Sequence, residues 1–170
     1  MPNANDSGWA STVVVGCLTG IALTADWLPR EVAGYFALDG TATGFVAREA
    51  YVAVAISSAV LLPSIVCGGL WLAVVRFPAF MTLPHRGYWL APERRGLTAS
   101  FLAARGAWLA ALLALFTFAL HLLVLHANTR MPARLDYPVL LALMVGLCTA
   151  FGAWLNHIQR HFARIENATQ

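Results

Sequence analysis

Four long apolar stretches dominate the pattern of the chain, and most of the charged and proline residues lie in the segments between them. The stretches cover about residues 9–28, 51–75, 101–126 and 138–158. A helix needs about 20 apolar residues to cross the hydrocarbon core of a bilayer, and each stretch reaches or approaches that length. The pattern therefore predicts an all-α integral membrane protein, with residues 1–170 forming one four-helix transmembrane bundle.

The composition of the chain supports a membrane protein. Hydrophobic residues make up 59% of it and charged residues only 11%, with a mean hydropathy of +0.68. A soluble domain usually carries about a quarter charged residues, so the composition favours a membrane protein over a water-soluble fold. Cys17, Cys67 and Cys148 each lie inside an apolar run without a second cysteine nearby, which argues against a disulfide framework and against thiol oxidoreductase chemistry.

The arginines predict the orientation, because loops rich in basic residues stay in the cytoplasm. All eleven basic residues are arginine. With a cytoplasmic amino terminus, seven lie on the inner side and four on the outer side, the outer four being Arg30, Arg48, Arg130 and Arg134. We therefore predict a multi-pass protein with both termini in the cytoplasm.

The loop after the first span is rich in glycine and predicted to face outward. Asp39-Gly40 is a hairpin-like signal, and the apolar residues around it suggest that the loop folds back onto the bundle. Its candidate ligand surface comprises Tyr35, Phe36, Asp39 and Gly40. A ligand lid and a simple cap are equally compatible with this pattern.

The loop between the second and third spans, residues 77–100, is rich in proline and predicted to lie inside, at the membrane interface. Two interpretations fit its arginines: a surface that binds a cytosolic partner or anionic lipid, or charges that only fix the topology. The candidate partner- or lipid-binding residues are Arg86, Tyr88, Trp89, Glu93, Arg94 and Arg95.

The histidines do not predict a cofactor. No two on different spans lie at the same depth, so a haem held by two histidines is not expected. His157 and His161 share one helix face at a spacing of four and are weak metal candidates, to which His85 or Glu93 could add a third ligand. A polar, aromatic-rich membrane boundary explains the pair better, so we predict no metal and no cofactor.

Part of the first third of the chain resembles the domain of unknown function 1648 type, found at the amino terminus of SdpI-like bacterial membrane proteins. The resemblance is carried by Leu28, Pro29, Val32, Ala33, Phe36, Gly40, Gly44 and Phe45. The run from Tyr88 to Arg95 also resembles a segment of such proteins. Tyr35 stands where that family usually has His, and Thr43 where it often has Asp. The resemblance implies a bacterial inner-membrane protein, whose best-understood relatives confer immunity to a toxin and signal its presence to a cytosolic repressor.

These observations predict a non-enzymatic membrane protein that acts as a sensing, immunity-like or accessory assembly module. Expected partners are membrane lipids, a protein at the inner loop or a larger membrane complex, and further copies of the chain, but no nucleic acid. A small oligomeric transporter is the alternative. A polar cavity reaching mid-membrane near Pro63 and Ser64 would favour it. An enzyme or cofactor protein using the inner histidines is a third hypothesis.

Overall fold

The protein is described here as a computed structural model covering residues 5–77 and 84–163. Its helices and strands are, in chain order, α1 (Asn5–Thr24), β1 (Glu31–Phe36), β2 (Ala42–Ala47), α2 (Arg48–Arg76), α3 (Arg86–Trp89), α4 (Arg95–Asn128) and α5 (Tyr137–Ala163). Within these residues, four helices are long and apolar enough to cross a membrane. The prediction of four helices with the length and hydropathy of membrane spans is therefore confirmed.

The long helices run alternately up and down, which gives the bundle two distinct ends. The hairpin end contains β1, β2, the end of α1, the start of α2 and the connection between α4 and α5. The arginine-rich end contains the end of α2, the short helix α3, the start of α4 and the end of α5. The sequence predicts that the hairpin end faces outward and the arginine-rich end faces the cytoplasm.

Helix α4 is the central element, since it packs along both α1 and α2. Small residues allow the close approach. A Cβ atom placed on Gly20 of α1 would lie 2.6 Å from the Phe118 ring, and the Cys67 thiol of α2 donates to the Gly106 carbonyl at 3.3 Å. Because lipid tails are as apolar as the helices, such close packing holds a bundle together in a membrane.

Helix α5 is the least buried of the four. Its buried residues are Ile158 and Phe162, both near the arginine-rich end. There they join a hydrophobic cluster with Val74, Leu90 and Leu102. Towards the hairpin end, most α5 side chains are exposed and an apolar groove lies between the helix and α4.

The segment predicted as an outer loop is a two-stranded antiparallel hairpin, which the all-α class does not include. Glu31 pairs with Ala47 and Phe36 with Ala42, and the register shifts on both sides of Tyr35. An isolated hairpin is barely stable in water, so contacts with the bundle must support this one. The Asp39-Gly40 dipeptide predicts a turn in this segment. The sequence around it does not show which parts of the bundle the hairpin contacts.

Candidate functional site

The hairpin is held to α4 by the side chain of Asn128. Its Oδ1 accepts from the Ala33 N–H at 2.8 Å, and its Nδ2 donates to the Ala33 carbonyl at 3.2 Å. Nδ2 also donates to the Val124 carbonyl of α4 at 2.9 Å. Ala33 is fully buried, so without Asn128 both of its backbone groups would lack these partners.

The turn of the hairpin docks on the connection between α4 and α5. Gly40 has a φ of +85°, and a Cβ atom there would lie 2.6 Å from the Leu135 carbonyl oxygen. The Leu135 N–H donates to the Gly40 carbonyl at 2.9 Å, and the Ala42 N–H donates to the Ala133 carbonyl at 3.3 Å. The turn therefore requires glycine at this position. Gly40 was predicted to belong to an outer ligand surface, but it is buried where the turn contacts the connection between α4 and α5.

Asp39 stabilises the same turn. Its Oδ1 accepts from the Thr41 hydroxyl at 2.7 Å and from the Thr41 N–H at 2.9 Å. The Thr41 hydroxyl, more than any other group, holds the pKa of this carboxyl below its usual value; the Thr41 N–H and the charge of Arg134 act in the same direction. Asp39 thus serves the turn, although it remains exposed.

Large apolar side chains project from this anchored hairpin into the surroundings. Tyr35 is 63% exposed, Leu38 91% and Phe45 58%. We call these three residues the hairpin surface. Of the predicted outer ligand residues, Tyr35 belongs to it, Phe36 is half-buried, and Asp39 and Gly40 form the turn.

Beneath the hairpin, a buried histidine joins three helices. His121 of α4 is 1% exposed, with Nε2 2.8 Å from the Thr24 hydroxyl of α1 and Nδ1 3.3 Å from the Tyr51 hydroxyl of α2. Thr24 donates its own proton to the Gly20 carbonyl at 2.7 Å. We therefore assign a proton to Nε2, which donates to the Thr24 hydroxyl oxygen, while Nδ1 accepts from the Tyr51 hydroxyl. Both ring nitrogens of a neutral imidazole then have a hydrogen-bond partner.

Sequence reasoning placed His121 near the outer end of its span but did not join it to Thr24 and Tyr51. A signal was present, because all three lie near the predicted outer ends of their spans and hence at one depth. Asn128 gave no such signal. It lies just beyond the third predicted span, and nothing near it in the chain indicates that it binds Ala33.

A charged cluster closes the connection between α4 and α5. Arg130 donates to both carboxylate oxygens of Asp136, at 3.3 and 2.9 Å. Its Nη2 also lies 2.9 Å from His126 Nε2. The cluster positions the connection on which the hairpin turn docks.

At the arginine-rich end, the predicted inner loop packs against the bundle. Trp89 Nε1 donates to the Phe162 carbonyl of α5 at 2.9 Å, and the Thr98 hydroxyl of α4 donates to the Trp89 carbonyl at 2.7 Å. Leu90 is buried in the cluster of Ile158 and Phe162. Trp89 of α3 is therefore bonded to both α4 and α5. Residues 78–83 of this loop lie outside the described part of the chain.

The remaining predicted inner-loop residues differ in their exposure. The Arg94 guanidinium lies 3.7 Å from the centre of the Tyr88 ring, and Arg95 donates to the Leu90 carbonyl at 3.4 Å. Glu93 is exposed, and the side chain of Arg86 lies outside the described part. The six residues therefore do not form one uniform free surface.

The two histidines at the end of α5 have different surroundings. His157 is exposed, whereas the His161 ring stacks on Phe101 with 3.8 Å between centroids. Within residues 5–77 and 84–163, no three His, Cys, Asp or Glu side chains are grouped closely enough to hold a metal ion. The geometry fits an aromatic boundary layer.

Comparison with known proteins gives no relative from which a role could be transferred. No protein-family model, no curated protein and no solved structure matches the chain. The likeness to SdpI-like proteins stays a prediction.

Proposed function

We propose that this protein is a non-enzymatic binding module of the bacterial inner membrane, which recruits an apolar partner on its outer side through the hairpin surface. The observation that carries the proposal is the contrast between how firmly the hairpin is anchored and how exposed its large apolar side chains are. Both termini lie in the cytoplasm in this arrangement, following the excess of arginine at the other end.

Anchoring of this kind favours binding. Asn128 and Gly40 fix the two strands before any ligand arrives, so less conformational entropy is lost on association. Leu38 at 91% exposure gains nothing from folding, whereas an apolar partner would remove it from water. Exposed apolar groups held on a rigid frame are typical of interaction surfaces.

Helix α4 supplies a route by which binding could be sensed on the other side. Asn128 at one end of α4 bonds to β1, and Thr98 at its other end bonds to the Trp89 carbonyl. A shift of the hairpin would therefore act on a helix that also holds the arginine-rich end. This arrangement suits a receptor-like or accessory subunit.

In the part of the chain that the structure describes, the surroundings of Ser64 do not favour the transporter alternative. The Ser64 hydroxyl donates to the Val60 carbonyl of its own helix at 2.7 Å, and the residue is exposed. The groove that α2, α4 and α5 share is lined by apolar residues, with Val66 and Leu70 contributed by α2.

Photo-cross-linking in native membranes tests the proposal. A benzoylphenylalanine at Leu38 should give one discrete protein adduct, and the same probe at Val54 of α2, which is exposed on a membrane-spanning helix, should not. The Phe45→Asp variant should abolish the adduct, whereas Thr43→Asp, at another exposed position of β2, should retain it. Cross-links to lipid alone at Leu38, or equal loss in both variants, would contradict the proposal.

A further inference from the structure

An apolar groove of about 430 Å³ opens between α2, α4 and α5. Each helix contributes side chains to its walls: Val66 and Leu70 from α2, Leu109 and Leu113 from α4, Phe151 and Trp154 from α5. It lies in the half of the bundle nearer the arginine-rich end, since Trp154 precedes the buried Ile158 by one helical turn. Its lining is apolar, and the indole N–H of Trp154 is already bonded within the protein.

Arg105 continues the α4 wall of this groove. Arg105, Leu109 and Leu113 are spaced four residues apart and so lie on one face of the helix. Trp154, which lines the groove, donates from Nε1 to the Arg105 carbonyl at 2.9 Å. The guanidinium carbon lies 5.4 Å from the centre of the Phe101 ring, one turn closer to the arginine-rich end. Arg105 lies one turn beyond the lining residue Leu109, so we place its cation at the end of the groove nearer the arginine-rich end.

The charge of Arg105 is not matched by the protein around it. Its Nε is buried and has no hydrogen-bond partner, and no carboxylate of the described residues forms an ion pair with it. Arg76 and Arg160 add positive charge at the same end, where Glu93 is the acidic side chain that the described residues provide. A guanidinium binds phosphate oxygens particularly well, because its planar fork can donate to two of them.

The charge at the end of the groove decides between a partner helix and a phospholipid as its occupant. The groove follows α5 from Leu147 to Trp154, about 10 Å at 1.5 Å per residue, and a second apolar groove between α4 and α5 continues from Leu147 towards the hairpin end. An apolar partner helix would leave the Arg105 guanidinium without an acceptor. A phospholipid supplies both an acyl chain for the apolar groove and a phosphate for the guanidinium.

We propose that the groove binds an anionic phospholipid of the cytoplasmic leaflet. The acyl chain lies between α2, α4 and α5, and the phosphate binds the Arg105 guanidinium at the end of the groove. The lipid fills the apolar gap beside α5 and provides Arg105 with the acceptor that the described protein residues do not. This site is separate from the hairpin surface, and its test does not depend on the proposed partner.

Native mass spectrometry of the full chain, released from mild detergent, tests the site. Phosphatidylglycerol should be retained with one molecule per protein, and phosphatidylcholine with the same acyl chains should be retained about five to ten times less. Arg105→Gln should lower phosphatidylglycerol retention by a similar factor. Arg160→Gln, which removes an exposed arginine at the same end, should change it less than twofold.

Further variants test the contacts of the acyl chain and of the headgroup separately, and they include a conservative substitution in case one variant does not fold. Cys148→Trp should fill the groove and also lower retention, because Cys148 lines it. Arg105→Lys keeps the charge and should still retain more phosphatidylglycerol than phosphatidylcholine, so the headgroup preference can be measured even if the glutamine variant does not fold. Free glycerol 3-phosphate should not displace the lipid. Equal retention of the two lipids, equal effects of Arg105→Gln and Arg160→Gln, or displacement by glycerol 3-phosphate would overturn the proposal.

Discussion

The two ends of the bundle are built by different interactions. At the hairpin end, polar groups hold a small sheet, with Asn128 bonded to Ala33 and Gly40 to Leu135. At the arginine-rich end, aromatic rings pack together and Trp89 contributes one hydrogen bond to Phe162. The strands pair their backbone groups across the hairpin and with the bundle, whereas α3 forms its backbone bonds locally, with the Tyr88 and Trp89 N–H groups donating to the His85 carbonyl.

This difference teaches where each end is vulnerable. Hydrogen bonds are directional, so one altered atom at the hairpin end removes a specific anchor. Aromatic packing is spread over many weak contacts, so a conservative change at the arginine-rich end should be better tolerated. The predictions below test this contrast.

The largest effect is expected from Gly40→Ala. The new Cβ would lie 2.6 Å from a backbone oxygen of Leu135, in a residue whose φ of +85° disfavours any side chain. We expect the free energy of unfolding to fall by on the order of 3 kcal/mol. Denaturation in mixed micelles, together with proteolysis of the hairpin, measures this.

Gly68→Ala provides the matched control for that substitution. A Cβ atom on Gly68 meets nothing within 4 Å, and alanine suits the interior of α2. Its free energy of unfolding should stay equal or rise slightly. If both alanine variants behaved alike, the docking of Gly40 on Leu135 would not hold the hairpin.

A smaller but still local effect is expected from Asn128→Ala. The buried Ala33 N–H and carbonyl both lose their bonds to this side chain, which should cost about 2 kcal/mol. Hydrogen exchange should speed up in residues 31–47 and remain slow in residues 86–102. Asn156→Ala, at an exposed position of α5, should change neither region. Faster exchange at both ends in Asn128→Ala would mean that the two ends unfold together.

The sequence predicted the spans well because twenty apolar residues have one stable arrangement in a bilayer. The predicted stretch 101–126 lies within α4 (Arg95–Asn128), and the stretch 138–158 lies within α5 (Tyr137–Ala163). Both helices therefore extend by additional residues beyond their predicted apolar stretches. Helix ends of this kind carry polar residues and leave little trace in hydropathy.

The contacts between distant residues could not be predicted in this way. Asp39-Gly40 signals a turn, but it does not show that the turn docks on Leu135, 95 positions further along from Gly40. Trp89 is predicted to be a partner- or lipid-binding residue of the inner loop, and no pattern in the sequence indicates its bond to Phe162. Such pairs depend on how the helices pack, which one sequence does not record.

At the arginine-rich end, Trp89→Phe should have a modest effect. It removes the 2.9 Å bond to the Phe162 carbonyl and leaves an aromatic ring in the cluster, so we expect a loss of about 1 kcal/mol. Hydrogen exchange should increase near residues 158–163 and stay unchanged in the hairpin. Trp71→Phe, at an exposed position of α2, is the control. A loss as large as that of Gly40→Ala would reverse the contrast between the ends.

The smallest expected effect concerns the protonation of Asp39 at the tip of the hairpin. Because the Thr41 hydroxyl and N–H lower the pKa of this carboxyl in the folded protein, the turn gains stability at neutral pH, and this gain is lost as the pH falls through the lowered pKa. Carboxyl carbon NMR should show Asp39 titrating below its usual range, and Thr41→Ala should move the pKa upward. Thr43→Ala, at an exposed position on β2, should leave it in place. Equal pKa values in the two threonine variants would mean that the Asp39–Thr41 bond does not form in solution, and the hairpin tip would then depend on the docking of Gly40 alone.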